Sequence, residues 1–157
     1  MTITERSSLV RRTMLPIIAA APLAVAAIAF PASAHAAKDF SFHSPTGNIF
    51  CDMHVGDDGK SQTTCITTDH SWVSPQRSAN CADDELWGDA LSLYEGASGF
   101  QCYHRLPDDP TAGQKLNYGE TLANGSITCK SEPDGMNCTD DSTGHFFRIA
   151  RESYQLG

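Results

Sequence analysis

No stretch of this chain carries a recognisable catalytic, metal or nucleotide motif. It has no His-Glu-x-x-His, no histidine pair at i and i+4 and no cysteine pair two residues apart, which removes the usual zinc signatures. No serine sits in Gly-x-Ser-x-Gly, which removes the nucleophile elbow. The aspartate-rich loops lack the alternating ligand register of an EF-hand. Cations are scarce: 11 Lys and Arg stand against 19 Asp and Glu, and the eight from Lys38 onward form no cluster. Phosphate backbones and anionic lipid surfaces are therefore disfavoured as partners. Also missing are a sustained 3.6-residue apolar stripe and a clean run of about 20 apolar residues, so neither a helical fold nor a membrane span is expected.

What is present begins with an export signal. Arg6, Arg11 and Arg12 precede an apolar, alanine-rich segment from Met14 to Phe30 that Pro16 and Pro22 interrupt, and small residues at Ala32, Ala34 and Ala36 offer two Ala-x-Ala exits. That order reads as a cleavable signal peptide over residues 1–36, followed by one domain over 37–157. Arg11-Arg12 also fits a twin-arginine signal, so the export route stays open. Removal of the signal leaves 8 cations against 18 carboxylates, a formal charge near −10. The product is expected outside the cytoplasm, in periplasm, wall or medium, with no stable membrane insertion.

The mature segment shows short alternating runs separated by turn chemistry, the signature of antiparallel strands. Ile49, Cys51, Met53 and Val55 share one strand face, Asp52 and His54 the other, and Phe50 breaks the alternation. Gly56-Asp57-Asp58-Gly59-Lys60 turns the chain into a return strand, Gln62 to Thr67. Near the C-terminus Asn124-Gly125 predicts a type I′ hairpin, Pro133-Asp134-Gly135 a second reversal, and His145–Ala150 with Tyr154–Leu156 closing strands. Asp83 to Trp87 predicts a short helical turn, followed by a strand near Leu91. Leu106 to Lys115, with two prolines and a glycine, predicts an exposed loop. The expected fold is all-β and mainly antiparallel, a small disulfide-stapled sandwich or partly open barrel.

Cys51, Cys65, Cys81, Cys102, Cys129 and Cys138 all follow the signal, so they are expected as three disulfides. Gly47-Asn48-Ile49-Phe50-Cys51 and Gly125-Ser126-Ile127-Thr128-Cys129 share Gly-x-Ile-x-Cys, and each precedes an Asp-Gly turn and another cysteine. If the two are equivalent hairpins, Cys51 pairs with Cys65 and Cys129 with Cys138, which leaves Cys81 with Cys102.

Candidate chemistry is thin. His43, His54, His70, His104 and His145 are scattered, and with the thiols oxidised no sulfur ligand remains for zinc. The loops at Asp57-Asp58, Asp108-Asp109 and Asp140-Asp141-Ser142-Thr143-Gly144 are explained by turn formation. Trp72 could offer a ring to a sugar or fill the core. His145, after Gly144 at a strand entrance, is the one named binding candidate. No metal, cofactor or catalytic residue is expected.

Ser44-Pro45-Thr46-Gly47-Asn48-Ile49-Phe50-Cys51, Tyr118-Gly119-Glu120, the Gly-x-Ile-x-Cys hairpin, Gly144-His145-x-Phe147 and Arg151-Glu152-Ser153-Tyr154 together resemble a family of small exported actinobacterial, mycobacterial-type domains of uncharacterised function. The resemblance implies an exported location and a paired-cysteine framework, with no reaction attached. The leading reading is a non-enzymatic binding or cell-envelope interaction module with an extracellular or cell-wall partner. The alternatives are an extracellular hydrolase whose site is assembled only in the fold, and an inhibitor of exported proteases acting through Leu106–Lys115.

Overall fold

Strand alternation, interrupted by glycine and aspartate turns, builds eleven strands: β1 (Phe40–His43), β2 (Ile49–Val55), β3 (Ser61–Thr67), β4 (Ala90–Tyr94), β5 (Ala97–Phe100), β6 (Gln114–Lys115), β7 (Thr121–Asn124), β8 (Ile127–Glu132), β9 (Gly135–Asp140), β10 (Phe146–Ile149) and β11 (Tyr154–Leu156). The computed structural model describes residues 39–106 and 108–157. The expected signal peptide, residues 1–36, lies outside the described residues. Two sheets, ordered β5-β4-β3-β2-β1-β6 and β11-β10-β9-β8-β7, pack face to face as a sandwich, not a closed barrel. All neighbouring strands are antiparallel except β6, which runs parallel to β1.

Each sheet contains a five-stranded meander, β1–β5 in the first, with β6 added at its edge, and β7–β11 in the second, and the second and third strands of each meander carry a directly opposed cysteine pair. Cys51–Cys65 and Cys129–Cys138 are the disulfides, with Cα atoms 4.1 and 4.0 Å apart, and Cys81–Cys102 closes the third pair. The pairing expected from the repeated hairpin is the one observed. All four sulfurs of the cross-strand pairs lie in the core with Phe42, Met53, Leu91, Leu93, Ile127, Met136, Phe147 and Ile149. Strand β3 contributes hydroxyls to the same face, because Thr63 and Thr67 are buried with local acceptors: Thr63 Oγ1 donates to the Asp52 carbonyl (3.0 Å) and Thr67 Oγ1 to that of Asp69 (2.9 Å). A buried hydroxyl so paired avoids most of its desolvation cost.

Three local expectations need correction. The β7–β8 hairpin pairs Asn124 with Ile127, so its two turn residues are Gly125 and Ser126, one position later than the Asn124-Gly125 turn expected. Only Gly125 has positive φ (+60°), which fits a type II′ turn and not type I′. The shift has a tertiary cause: the Ser126 N–H donates to Ser61 Oγ (3.0 Å), and a Cβ on Gly125 would lie 2.1 Å from that oxygen. There is no helical turn at Asp83–Trp87. Glu85 N–H closes a single turn onto the Ala82 carbonyl (3.0 Å), and Leu86 then forms a β-bridge with Tyr103. The segment Leu106–Lys115 is not wholly loop, since its last two residues are β6 on the edge beside β1.

Candidate functional site

Four separate turns meet at one end of the sandwich and line a cleft of about 300 Å³. The first is Ser44–Asn48, between β1 and β2. Gly47 adopts positive φ (+73°) and donates its N–H to the Ser44 carbonyl (2.9 Å), while Ser44 Oγ accepts the Ile49 N–H (3.1 Å). Asn48 then ties this turn to the end of β3, donating from Nδ2 to Thr67 Oγ1 and to the Asp69 carbonyl, both at 3.0 Å. The second turn, Asn117–Glu120, is anchored on β8 by Gly119 N–H to the Ser131 carbonyl (2.8 Å) and Ser131 N–H to that of Glu120 (3.0 Å). It presents Tyr118 to the cleft with 47% of its surface exposed. The third is the β8–β9 hairpin, Glu132–Gly135, and the fourth is Ala150–Ser153, between β10 and β11, closed by Ala150 N–H to the Ser153 carbonyl (3.0 Å).

The cleft is polar. Asp69, Glu132, Asp134 and Glu152 line it with Arg151, Asn48, Thr46 and Tyr118. Three of those carboxylates face cations: Asp69 accepts from Arg151 Nε (2.8 Å), Asp134 from Arg148 Nη1 (2.5 Å) and Glu132 from Lys130 Nζ (2.7 Å). The hydrogen bond that Arg151 donates to Asp69, and then the Asp69 charge, push the guanidinium further toward its protonated form. A rim of paired charges beside one aromatic ring has little net field. It offers planar donors and acceptors that match hydroxyls better than a lone ion. Asp69 and Asp134 keep 61% and 68% of their side-chain surface in water. A carboxyl that serves as a general acid is normally desolvated, so these two are poorly placed for that role.

His145 lies elsewhere, exposed on the approach to β10, with its Nδ1 3.1 Å from the Gly157 carbonyl. Gly144 before it has φ +80° and open space where a Cβ would be, so its glycine serves the turn. The other histidines do not converge. His54 pairs with Asp39, and His43 is buried beside Ser44. His70 stacks on Trp72 with ring centroids 3.6 Å apart and reaches Asp89 (2.7 Å). Asp89 also accepts from the Tyr103 hydroxyl (2.8 Å). Burial, and then that bond, push the Tyr103 phenol well above its usual value, so it stays a donor. Trp72 packs against the core beside Tyr154 and Phe100 and donates Nε1–H to the Ala150 carbonyl (2.9 Å), which anchors its ring in place.

The aspartate loops form the expected turns: Asp58 caps Lys60 N–H (3.1 Å), Asp109 caps Thr111 N–H (2.8 Å) and Asp140 caps Ser142 N–H (3.0 Å). Glu132, Asp134 and Glu152 escaped the sequence reading as site residues. The signal that pointed nearest to them was the three family-like stretches, Ser44–Asn48, Tyr118–Glu120 and Arg151–Tyr154, each of which contributes to the cleft. A second hollow of about 280 Å³ lies between the β2–β3 and β9–β10 connections, lined by Lys60, Ser61, Glu95, Ser126, Asp140 and Thr143 among others. Among the described residues no helix is long and apolar enough to cross a membrane.

Comparison with known proteins gives a family and no activity. The sequence profile described as a family of unknown function (DUF6636) matches residues 21–156. No curated protein and no solved structure matches the chain.

Proposed function

The chain belongs to the DUF6636 family, and from that premise we propose that it is an exported, non-enzymatic binding module of the cell envelope that takes a saccharide in the Tyr118 cleft. One observation carries this reading. Three stretches separated by tens of residues, Ser44–Asn48, Tyr118–Glu120 and Arg151–Ser153, are brought to one concave surface together with the Glu132–Gly135 hairpin. The lining is mixed, with carboxylates, an amide, a guanidinium and a hydroxyl beside Ile49, Pro133 and Ala150, which suits a ligand that carries both hydroxyls and an apolar ring face. Paired charges disfavour a strongly charged ligand, and Tyr118 supplies a face for a sugar ring. Three disulfides support an oxidising, extracytoplasmic setting.

The test is a titration with soluble wall-glycan fragments followed by amide NMR. Shifts are expected at Thr46, Asn48, Gly135 and Glu152. Tyr118→Ala should weaken binding roughly 10-fold, the loss of about 1.4 kcal/mol that one stacked ring supplies, with unchanged melting temperature. Shifts confined to other surfaces, or an unaffected Tyr118→Ala variant, would overturn the assignment. Turnover of the glycan by wild-type protein that Glu132→Gln or Glu152→Gln abolishes would instead establish the hydrolase.

A further inference from the structure

We propose that His70 is a proton-operated clamp on one wall of the Tyr118 cleft, closed while its ring is charged and released when the ring loses a proton. The clamp belongs to the fold, and its effect on a ligand rests on the saccharide reading of the cleft.

Both ring nitrogens of His70 face groups that accept. Nδ1 is 3.0 Å from the Trp72 carbonyl, which has no proton to give. Nε2 is 2.7 Å from Asp89 Oδ1, and the other oxygen of that carboxylate accepts from the Tyr103 hydroxyl (2.8 Å). Each nitrogen therefore donates, which requires the doubly protonated imidazolium. The contact is largely withdrawn from water, with 16% of the His70 side chain and 35% of the Asp89 side chain exposed. The ring also lies flat on Trp72, a placement that favours the cation. Among the described residues Asp89 is the one ion-pair partner of His70. Burial and the Asp89 bond keep the Tyr103 phenol protonated, and the neighbouring Asp69 carboxylate already has Arg151. Once Nε2 loses its proton, a lone pair faces the Asp89 carboxylate and the attraction becomes a repulsion.

The clamp reaches the cleft through its neighbours in the chain. Asp69, one residue before His70, lines the cleft, and its carbonyl accepts from Asn48 Nδ2 and Thr67 Oγ1. Ser71, one residue after, donates its N–H to the Arg151 carbonyl (2.8 Å), and Trp72 Nε1 donates to that of Ala150 (2.9 Å). Ala150 and Arg151 both line the cleft. Asp89, just before β4, also holds the end of β3, because its carbonyl accepts the Thr67 N–H (2.9 Å). His70 thus ties the first sheet to the β10–β11 turn. When its Asp89 contact is lost, the Asp69–Trp72 segment is free to shift. Arg151 then loses the fixed positions of two partners, the Asp69 carboxylate and the Ser71 N–H.

The experiment follows the His70 ring nitrogens by NMR from about pH 5 to 8, the range in which imidazole changes charge, first in the ligand-free protein. As Nε2 loses its proton, the amide signals of Asp69, Ser71 and Arg151 should move with the same midpoint, and the Ser71 N–H should exchange faster. His70→Gln has no ring proton to lose and should abolish these shifts. Asp89→Asn should invert them. With its oxygen kept by the Tyr103 hydroxyl, the amide Nδ2 faces His70 Nε2, so the neutral ring is then the form that closes the contact. Melting curves of both variants establish their folding.

Titration of wild type with soluble wall-glycan fragments should show affinity falling roughly 5-fold or more as the ring loses its proton. Saturating glycan should in turn move the ring midpoint to higher pH, because the coupling is reciprocal. A ring whose charge does not change over this range, amide signals that ignore its titration, or an unaltered response in folded Asp89→Asn would each overturn the clamp. Glycan bound equally well at every pH would overturn its control of the cleft. Glycan that binds at no pH would overturn the saccharide reading instead, and the ligand-free shifts would still decide the clamp.

Discussion

Cys65 Sγ and Cys138 Sγ, from different sheets, lie 3.9 Å apart, so two cross-strand disulfides rest on one another at the centre of the sandwich. Thr63 Oγ1 and Cys129 Sγ meet at the same separation beside them. The contact follows from the topology. Each disulfide occupies the second and third strands of its own five-stranded meander, and β3 of one meander packs on β8 of the other. Sulfur is compact and polarizable, which lets two staples share a space that larger apolar side chains would otherwise fill.

Removing one staple should therefore cost more than its loop alone. Cys51 and Cys65 are 14 residues apart and Cys129 and Cys138 are 9 apart. In the chain-entropy account loops of that length are worth about 3 kcal/mol each. Replacing either pair by alanine should lower unfolding free energy by at least about 3 kcal/mol, the excess coming from the cavity left under the other disulfide. Because the pairs touch, the two losses should not add, and urea unfolding of the single-pair and double-pair variants measures the coupling.

Gly125 offers a sharper test of how the two sheets are joined. Its φ of +60° suits glycine, and a Cβ there would lie 2.1 Å from Ser61 Oγ and 2.9 Å from Val55 Cγ2. Gly125→Ala should destabilise by roughly 2 kcal/mol or more. Ser61→Ala should cost about 1 kcal/mol by leaving the Ser126 N–H without its acceptor. In the double variant the smaller residue 61 relieves part of the clash, so thermal denaturation should show a combined loss smaller than the sum.

Both cross-strand disulfides were legible in the sequence because each sits in a repeated Gly-x-Ile-x-Cys hairpin, where pairing is local and set by turn chemistry. The offset of the β7–β8 turn was not legible. Ser61, which draws the Ser126 N–H, comes from a strand some 65 residues earlier. Strand β6 has two residues and no periodicity to read, and it exists because β1 leaves an edge for it. Leu86 belongs to a bridge with Tyr103, and that tertiary demand overrides the local preference for a helical turn at Asp83–Trp87. The cleft was half visible. Its motif residues stood out, Glu152 among them, but Asp69, Glu132 and Asp134 lie in turns that only the fold brings together.

Glu95 is the single described residue other than glycine with positive φ, at +50°. With Gly96 at +73° it forms the two-residue turn joining β4 to β5, a conformation that asparagine or glycine adopts more readily. What holds Glu95 there is its ion pair with Lys60, whose ammonium is pushed toward the charged form by the Glu95 hydrogen bond and then its charge. Glu95→Asn should relieve about 1 kcal/mol of backbone strain. The variant should gain over wild type as salt rises, because screening weakens the exposed ion pair that only the wild type has. Melting temperatures of both proteins across a salt series test this.

Asp140 ties the β9 terminus to the loop before β10, and its contribution should depend on pH in one direction only. Its carboxylate is almost fully buried and accepts the Ser142 hydroxyl (2.6 Å) and N–H (3.0 Å) through Oδ1. The Ser142 hydroxyl bond is the largest influence on it, and with the other donors it outweighs burial and holds the carboxyl below its ordinary range. In the unfolded chain the same group titrates near the usual aspartate value of about 3.9. Between that value and the lower folded one the unfolded state binds more protons, so stability rises with pH through the window and is fully present above it. Asp140→Asn keeps an acceptor for Ser142 but loses the charge that strengthens the bond, so it should cost about 1–2 kcal/mol at neutral pH. That difference should shrink as pH falls below about 4, because the unfolded wild-type carboxyl then binds its proton and the folded one follows only at its lower value. Urea unfolding of both proteins at neutral and acidic pH isolates Asp140 from other carboxylates, which titrate alike in each. A gap that stays constant across the series would show that the Asp140 charge contributes nothing to holding this loop.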